Sequence, residues 1–329
     1  MQWDDIVGNS ESIERLKNML NSNRMPHAML FTGPSGIGKT MIASMLAAAI
    51  LCSADAGKPC GLCQSCKSIE RNTHPDLLTT RPEGTSIKIE QIRQLQQEVA
   101  LAPLLGSRRV CIIEDAELMT VQAANSILKT LEEPQGDIIF ILISSKRQLL
   151  LETIISRCLS ISFQPLKPNV LTEALILRGY NSVQAETAAR LSGGKMGKAL
   201  TFLVPDGLAD RNRAMDIAAA LNNSSMKFVW DTAAVLDKLE RKEFLTLLEY
   251  LSLILRDMLM IANRQDDKLL YNFDLTEGLT KQAGSWSEYA LMKALKEISK
   301  CRQSLQANAN PRLTGEALLI KLRDLAGGG

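Results

Sequence analysis

Three observations predict an α/β fold with a doubly wound parallel sheet, followed by regions that are helical only. The string Phe31-Thr32-Gly33-Pro34-Ser35-Gly36-Ile37-Gly38-Lys39-Thr40 fits the phosphate-loop pattern G-x-x-x-x-G-K-[ST] at every fixed position. Short apolar runs that read as strands alternate with helical periodicity as far as Phe163. Beyond Pro168 no strand-like run remains.

Trp3 to Gly8 opens the chain, and an amphipathic helix from about Ser10 to Leu20 follows, with Ser10 as its cap. His27 to Thr32 reads as a short buried strand and Met41 to Leu51 as a helix of strong helix formers. Between them the glycines let the backbone turn its N–H groups toward a triphosphate at a helix N-terminus. Lys39 would then reach the β- and γ-phosphates, and the Thr40 hydroxyl would ligate Mg²⁺. A glycine-rich strand–helix turn without a ligand is the other reading.

Cys52, Cys60, Cys63 and Cys66 come next, the last three at C-x2-C-x2-C spacing with Pro59 and Gly61 supplying the turn. Such spacing wraps a tetrahedral Zn²⁺ in a tight knuckle with no open coordination position, which makes the site structural rather than catalytic. Unrelated buried thiols are the alternative. His74, in His74-Pro75-Asp76, is read as a structural histidine because four thiols already fill the metal's needs.

Leu77 to Thr80 is a predicted strand, and Ile89, Ile92, Leu95 and Val99 mark one buried stripe on a helix from Ile87 to about Ala100. Its other face carries Lys88, Arg93 and glutamines, a solvated face or one that grazes a nucleic-acid backbone. Arg109 to Ile113 reads as a central parallel strand ending in Glu114-Asp115-Ala116-Glu117. Acidic residues at that edge of a sheet are where Mg²⁺ and an attacking water are managed. Thr120 caps a helix to Glu133 that Pro134 stops; Ile138 to Ile143 is a strand tipped by Ser144-Ser145. A helix from about Leu149 is expected to carry Ser156-Arg157-Cys158, and Leu159 to Phe163 alternates as a last strand.

Pro165 to Pro168 is a hinge, and three short helices (Val170–Gly179, Ser182–Leu191, about Gly197–Leu203) form a small lid. After a joint at Val204 to Gly207, helices at Phe228–Leu239, Glu240–Asn263, Trp286–Ala307 and Thr314–Leu325 make an all-α region, with Gly327 to Gly329 a frayed end. The expected domains are 1–165, 166–207 and 208–329.

With 46 % hydrophobic and 22 % charged residues the composition is that of a soluble globular protein. A net charge of +2 and 4 % aromatic residues argue against a zinc-knuckle nucleic-acid binder with an incidental nucleotide fold. The apolar stretch from Phe244 to Ala262 is interrupted by Glu249, Arg256 and Asp257, so no membrane span is expected. Seven cysteines, four of them clustered, suit a metal site in a reducing cytoplasm better than a disulfide framework.

Together these strings resemble the clamp-loader branch of the AAA+ ATPases, in its bacterial, Gram-positive form. The resemblance covers essentially the whole chain. It rests on Ile6-Val7-Gly8, His27-Ala28, the phosphate loop, the four cysteines, His74-Pro75-Asp76, the run from Ala124 to Pro134 ending Leu131-Glu132-Glu133-Pro134, Ile155-Ser156-Arg157-Cys158, and the C-terminal Asn308 to Leu313 followed by Glu316 to Leu322. The Asn-Pro-containing C-terminal string sets the chain apart from the gamma/tau motor subunits, which share most of the others.

The resemblance implies a hetero-pentameric ring with motor (gamma/tau) and delta subunits. The ring uses ATP to load a sliding clamp on primer–template DNA for the replicative DNA polymerase III. It implies that Val7 and Gly8 join residues 33–40 in holding ATP, that Glu114 helps hold Mg²⁺, and that Arg157 enters a neighbour's ATP site as a trans arginine finger.

Motor subunits end the acidic strand with Asp then Glu; here Glu114 precedes Asp115, so Asp115 is a shortened counterpart of the base. Where motors carry a lid arginine before Ala-Leu, this chain has Gly197, and Lys198 stands one position out of register. Both departures predict weak or absent ATPase activity of its own. The alternative is an active gamma/tau-type motor.

Overall fold

β1 (Ala28–Thr32) sends alternate side chains into two different cores: Ala28 and Leu30 join one apolar cluster, Met29 and Phe31 the other. A strand buried on both faces belongs at the centre of a sheet covered by helices on both sides. In the computed structural model, which describes residues 2–55, 57–134, 136–221, 225–266 and 269–326, β1 lies there. With β2 (Leu77–Thr80), β3 (Arg109–Ile113), β4 (Ile138–Ser144) and β5 (Leu159–Ser162) it forms a parallel sheet in the order β2-β3-β4-β1-β5.

The chain leaves β1 for the far edge of the sheet and returns through β3 and β4. The strand order therefore reverses beside β1, the place where doubly wound sheets bind ligands. Helices α1 (Ser10–Asn21), α2 (Lys39–Leu51) and α3 (Gln64–Glu70) cover the Met29 and Phe31 face. Helices α4 (Ile89–Val99), α5 (Val121–Glu132) and the one-turn α6 (Glu152–Ile155) cover the other. Phe31 and Phe140 are fully buried, one on each side, each contributing about 2–3 kcal/mol.

Two local expectations are corrected. Ser10 is the first helical residue of α1, not its cap; Asn9 precedes it in the left-handed conformation without a side-chain cap bond. The Asn9 side chain instead exchanges two hydrogen bonds with the Gln164 backbone (2.7 and 3.0 Å), tying the start of the chain to the end of the sheet. The stretch from Leu149 is not one helix: a single 3-10 turn at Arg147–Leu149 precedes α6. Ser156-Arg157-Cys158 lies in the turn after α6, because Leu159 must already enter the sheet beside Met29.

The loop between α4 and β3 hangs on one buried carboxylate. Asp76 is fully buried and accepts from the backbone N–H groups of Leu104 (2.7 Å), Leu105 (2.8 Å) and Gly106 (3.3 Å), with the Arg109 guanidinium at 3.6 Å. Burial alone would raise its pKa; the amide donors and Arg109 outweigh it and hold Asp76 below the usual carboxylate range. Its stabilising contribution is therefore complete above the ordinary carboxylate pKa and is lost as pH falls through the depressed folded value. Asp76→Ala, which strands these donors and a buried cation, is expected to cost roughly 3–5 kcal/mol in urea denaturation. A loss under 1 kcal/mol would show that the loop does not depend on it.

The chain divides into two compact units, one comprising residues through Ala174 with Gly193–Lys198, the other Leu175–Ser192 with Ala199 onward. It passes between them three times: within α7 (Pro168–Leu177), after α8 (Ser182–Leu191) between Ser192 and Gly193, and within α9 (Met196–Phe202). The second unit is helical. It contains α10 (Ala209–Leu221), α11 (Met226–Leu236), the long α12 (Arg241–Ala262), α13 (Thr276–Ala283), α14 (Glu288–Gln306) and α15 (Pro311–Ala326).

α12 packs against α10, α13 and α14, and α15 against α11 and α14. The start of α15 is Pro311 rather than Thr314, with the Asn310 side chain accepting from the Leu313 N–H (3.1 Å) and proline at its favoured first position. α10 was not expected. Its inward face includes Arg211, buried in a two-pronged pair with Asp274 (2.8 and 2.9 Å), and a charge in that stripe hides the helical period. Among the described residues no helix is long and apolar enough to cross a membrane. The frayed end expected at Gly327 to Gly329 lies outside the described residues.

Candidate nucleotide and metal sites

The phosphate-loop string forms the turn between β1 and α2, at the reversal of strand order. Gly33, Gly36 and Gly38 adopt φ of 140°, 81° and 99°, values that L side chains rarely take. At Gly33 space is also lacking: an added Cβ would stand 2.3 Å from the Phe163 carbonyl oxygen. Pro34, Ser35 and Gly36 are exposed at the tip, Ile37 and Gly38 are half-buried, and Thr40 lies half-buried in the first turn of α2. Val7 and Gly8 are half-buried, and Gly8 lies against the segment that follows β5, where an added Cβ would stand 2.2 Å from the Leu166 side chain.

Lys39 is 5 % exposed, and its Nζ donates to the carbonyls of Gly33 (2.7 Å) and Pro34 (2.8 Å) and to Ser145 Oγ (3.1 Å). The polar residues at the tip of β4 thus reach the loop. Burial lowers the Lys39 pKa, Glu117 and Asp115 oppose that, and Lys195 adds to the lowering. Glu117 was missed as a site residue. It accepts from the Ser145 N–H (2.9 Å), so it sets the serine that in turn holds Lys39.

Glu114 is drawn elsewhere, accepting from Arg81 Nε at 2.9 Å, with Arg81 Nη2 also at 2.9 Å. Asp115 has a left-handed backbone (φ 48°), which aspartate tolerates, and ends β3's run into a 3-10 turn. The carboxylates that act electrostatically on Lys39 are therefore Glu117 and Asp115.

Arg157 lies at the other end of the sheet. β5 runs parallel to β1 in the register Met29↔Leu159 to Thr32↔Ser162, so the phosphate loop leaves the end of the pair that Arg157 does not occupy. The intervening strand is about 13 Å long at roughly 3.3 Å per residue. A guanidinium there stands away from the chain's own loop. It is partly exposed and held by Glu132 Oε1, which accepts from Arg157 Nε (2.7 Å) and Nη2, and by the Thr153 carbonyl (2.8 Å).

The four cysteines converge. Their sulfurs all lie within 4.8 Å of one another, with Cys52–Cys63 at 3.9 Å and Cys60–Cys66 at 4.0 Å. A tetrahedral zinc with Zn–S bonds near 2.3 Å asks for sulfur separations of about 3.8 Å, so the donor set fits the ion. Cys63 caps α3, accepting from the Cys66 N–H (3.4 Å), and Cys60 accepts from the Cys63 N–H (3.3 Å). Burial would raise the Cys63 thiol, but N–H donors from Cys66 and Ser53 bring it down to about 5, toward the thiolate that a metal needs. His74 stands outside the cluster. Its Nδ1 accepts from the Asp76 N–H (3.1 Å), while its buried Nε2 has no partner among the described residues.

Residues 8–167 match a sequence family described as "DNA polymerase III, delta subunit", and residues 208–324 match its C-terminal counterpart. The DNA polymerase III subunit delta' of Bacillus subtilis is 33 % identical over 313 residues, 94 % of either chain. The tau subunit of the same bacterium is 27 % identical over 98 % of this chain and 61 % of its own. A solved DNA polymerase III gamma subunit-related protein from Thermotoga maritima aligns over 94 % of this chain and 99 % of that one, at 18 % identity and TM-score 0.48.

Proposed function

Because the chain belongs to the DNA polymerase III delta-prime subunit family, we propose that it completes a clamp-loader ring and lends Arg157 to a neighbour's ATP site. Its partners are the gamma/tau motor and delta subunits, the sliding clamp and primer–template DNA, in the cytoplasm. The observation that carries this reading is the register of β5: it puts Arg157 at the sheet edge opposite the chain's own phosphate loop, so any nucleotide it serves is held by another protein. A cation brought to a transferring phosphoryl group stabilises charge that develops there.

Residues 33–40 with Val7 and Gly8 would bind the chain's own ATP, with Mg²⁺ on Thr40. Lys39 would exchange its two loop carbonyls for phosphate oxygens. Turnover of that ATP is expected to be weak. Glu114 is engaged by Arg81, and Asp115 is a methylene shorter than the base of a motor subunit; misplacement by an ångström costs orders of magnitude in rate. Residues 166–207 act as the lid and 208–329 as the collar. The four cysteines hold one structural zinc.

The isolated chain is expected to bind ATP·Mg²⁺ and to hydrolyse it negligibly. Lys39→Ala should weaken binding by tenfold or more, since it removes a buried charge-assisted contact. Calorimetry and a steady-state phosphate assay read the two quantities. Sustained turnover at motor-like rates would instead support the motor reading.

A further inference from the structure

Lys195 lies in the stretch where motors carry their lid arginine, two positions before Gly197. That stretch is fixed to the same unit as the phosphate loop. Gly194 (φ 79°) presses against the backbone after β5: its carbonyl accepts from the Leu166 N–H (2.9 Å), and an added Cβ would stand 2.4 Å from the Leu166 oxygen. Leu166 in turn packs over Gly8. Three residues earlier, Phe163 donates its N–H to the Thr32 carbonyl (2.8 Å) and crowds Gly33. Lys195 is thus placed by backbone contacts that index it to the loop.

Its side chain lies over the loop tip, with Cδ 3.4 Å from where a Cβ on Gly36 would be. Resting on the edge of the turn that would cradle phosphate, the half-buried Lys195 stem brings a second ammonium toward the anion that Lys39 awaits. Burial is the main cause that lowers the Lys39 pKa, and the positive charge of Lys195 adds to it. An anion between them relieves that repulsion.

We infer that Lys195 is a second phosphate-binding cation of the nucleotide site, acting in the segment where Gly197 stands in place of a motor's arginine. The inference rests on the nucleotide-binding reading of residues 33–40. Lys195 is a point charge on a flexible stem, so it would hold the triphosphate without imposing the planar, two-pronged geometry of an arginine.

The test is ATP·Mg²⁺ affinity by calorimetry for the full chain and for Lys195→Ala, Lys195→Gln and Lys195→Arg, with thermal melts of each. The expected result is a loss of about tenfold or more in Lys195→Ala and Lys195→Gln, retention within about threefold in Lys195→Arg, and unchanged melts. The loss should shrink at high salt, as a charge contact does. If the unsubstituted chain binds ATP and Lys195→Ala and Lys195→Gln bind it equally well, the inference is overturned and the nucleotide-binding reading stands. If the unsubstituted chain binds no ATP, both fall together.

Discussion

Arg157→Ala is expected to leave the chain folded and able to join its partners, while turnover at the adjoining ATP site of the assembled loader falls about a thousandfold. The DNA-stimulated ATPase of the reconstituted ring is the measurement, and ring mass by light scattering is its control. The side chain makes a partly exposed pair with Glu132 and bonds to the Thr153 carbonyl and the Ser156 hydroxyl, so its removal costs the fold little, about 0–1 kcal/mol. Lys at this position should not restore the rate, because a point charge does not reproduce a planar fork of donors. An Arg157→Ala ring as fast as the unsubstituted one would remove the residue from the mechanism.

Chelation of the zinc proposed for the cysteine cluster is expected to have the second large effect. The sulfurs of Cys52, Cys60, Cys63 and Cys66, from the end of α2 to the first turn of α3, lie within 4.8 Å of one another without a disulfide among them. A structural zinc contributes on the order of 10 kcal/mol to the folding of the segment that holds it. Freshly reduced protein should contain about one zinc per chain by elemental analysis. Strong chelation, or Cys63→Ser, should then expose residues 52–71 to proteolysis while the helical second unit melts as before. Protein that lacks zinc and still resists cleavage in this segment would return the thiols to ordinary packing.

Much of this molecule was legible in the residue string. The phosphate loop announces itself by fixed spacing, the knuckle by three thiols in seven residues from Cys60 to Cys66, and each strand by an apolar run. Strand order is not written locally. It depends on which apolar faces find each other, and only the register of β5 on β1 shows that Arg157 and the phosphate loop occupy opposite ends of the sheet.

Glu117 stood in the acidic string after β3, but its particular part was not legible because it is played through Ser145, a residue 28 positions away. Lys195 escaped because the position that draws the eye, Gly197, is two residues along, and the close approach of Gly194 to Leu166 is a fact of packing. Arg211 hid α10 by placing a charge where a periodic reading expects an aliphatic side chain.

The tight seat of Gly33 against the Phe163 carbonyl joins the end of the last strand to the chain's own loop, while Arg157 precedes the strand's other end. A nucleotide in that loop would lie at one tip of the strand, and the guanidinium stands at the other. If the chain holds ATP as proposed, the turnover that reports on Arg157 should differ between rings whose loop at residues 33–40 is filled and rings where it is empty.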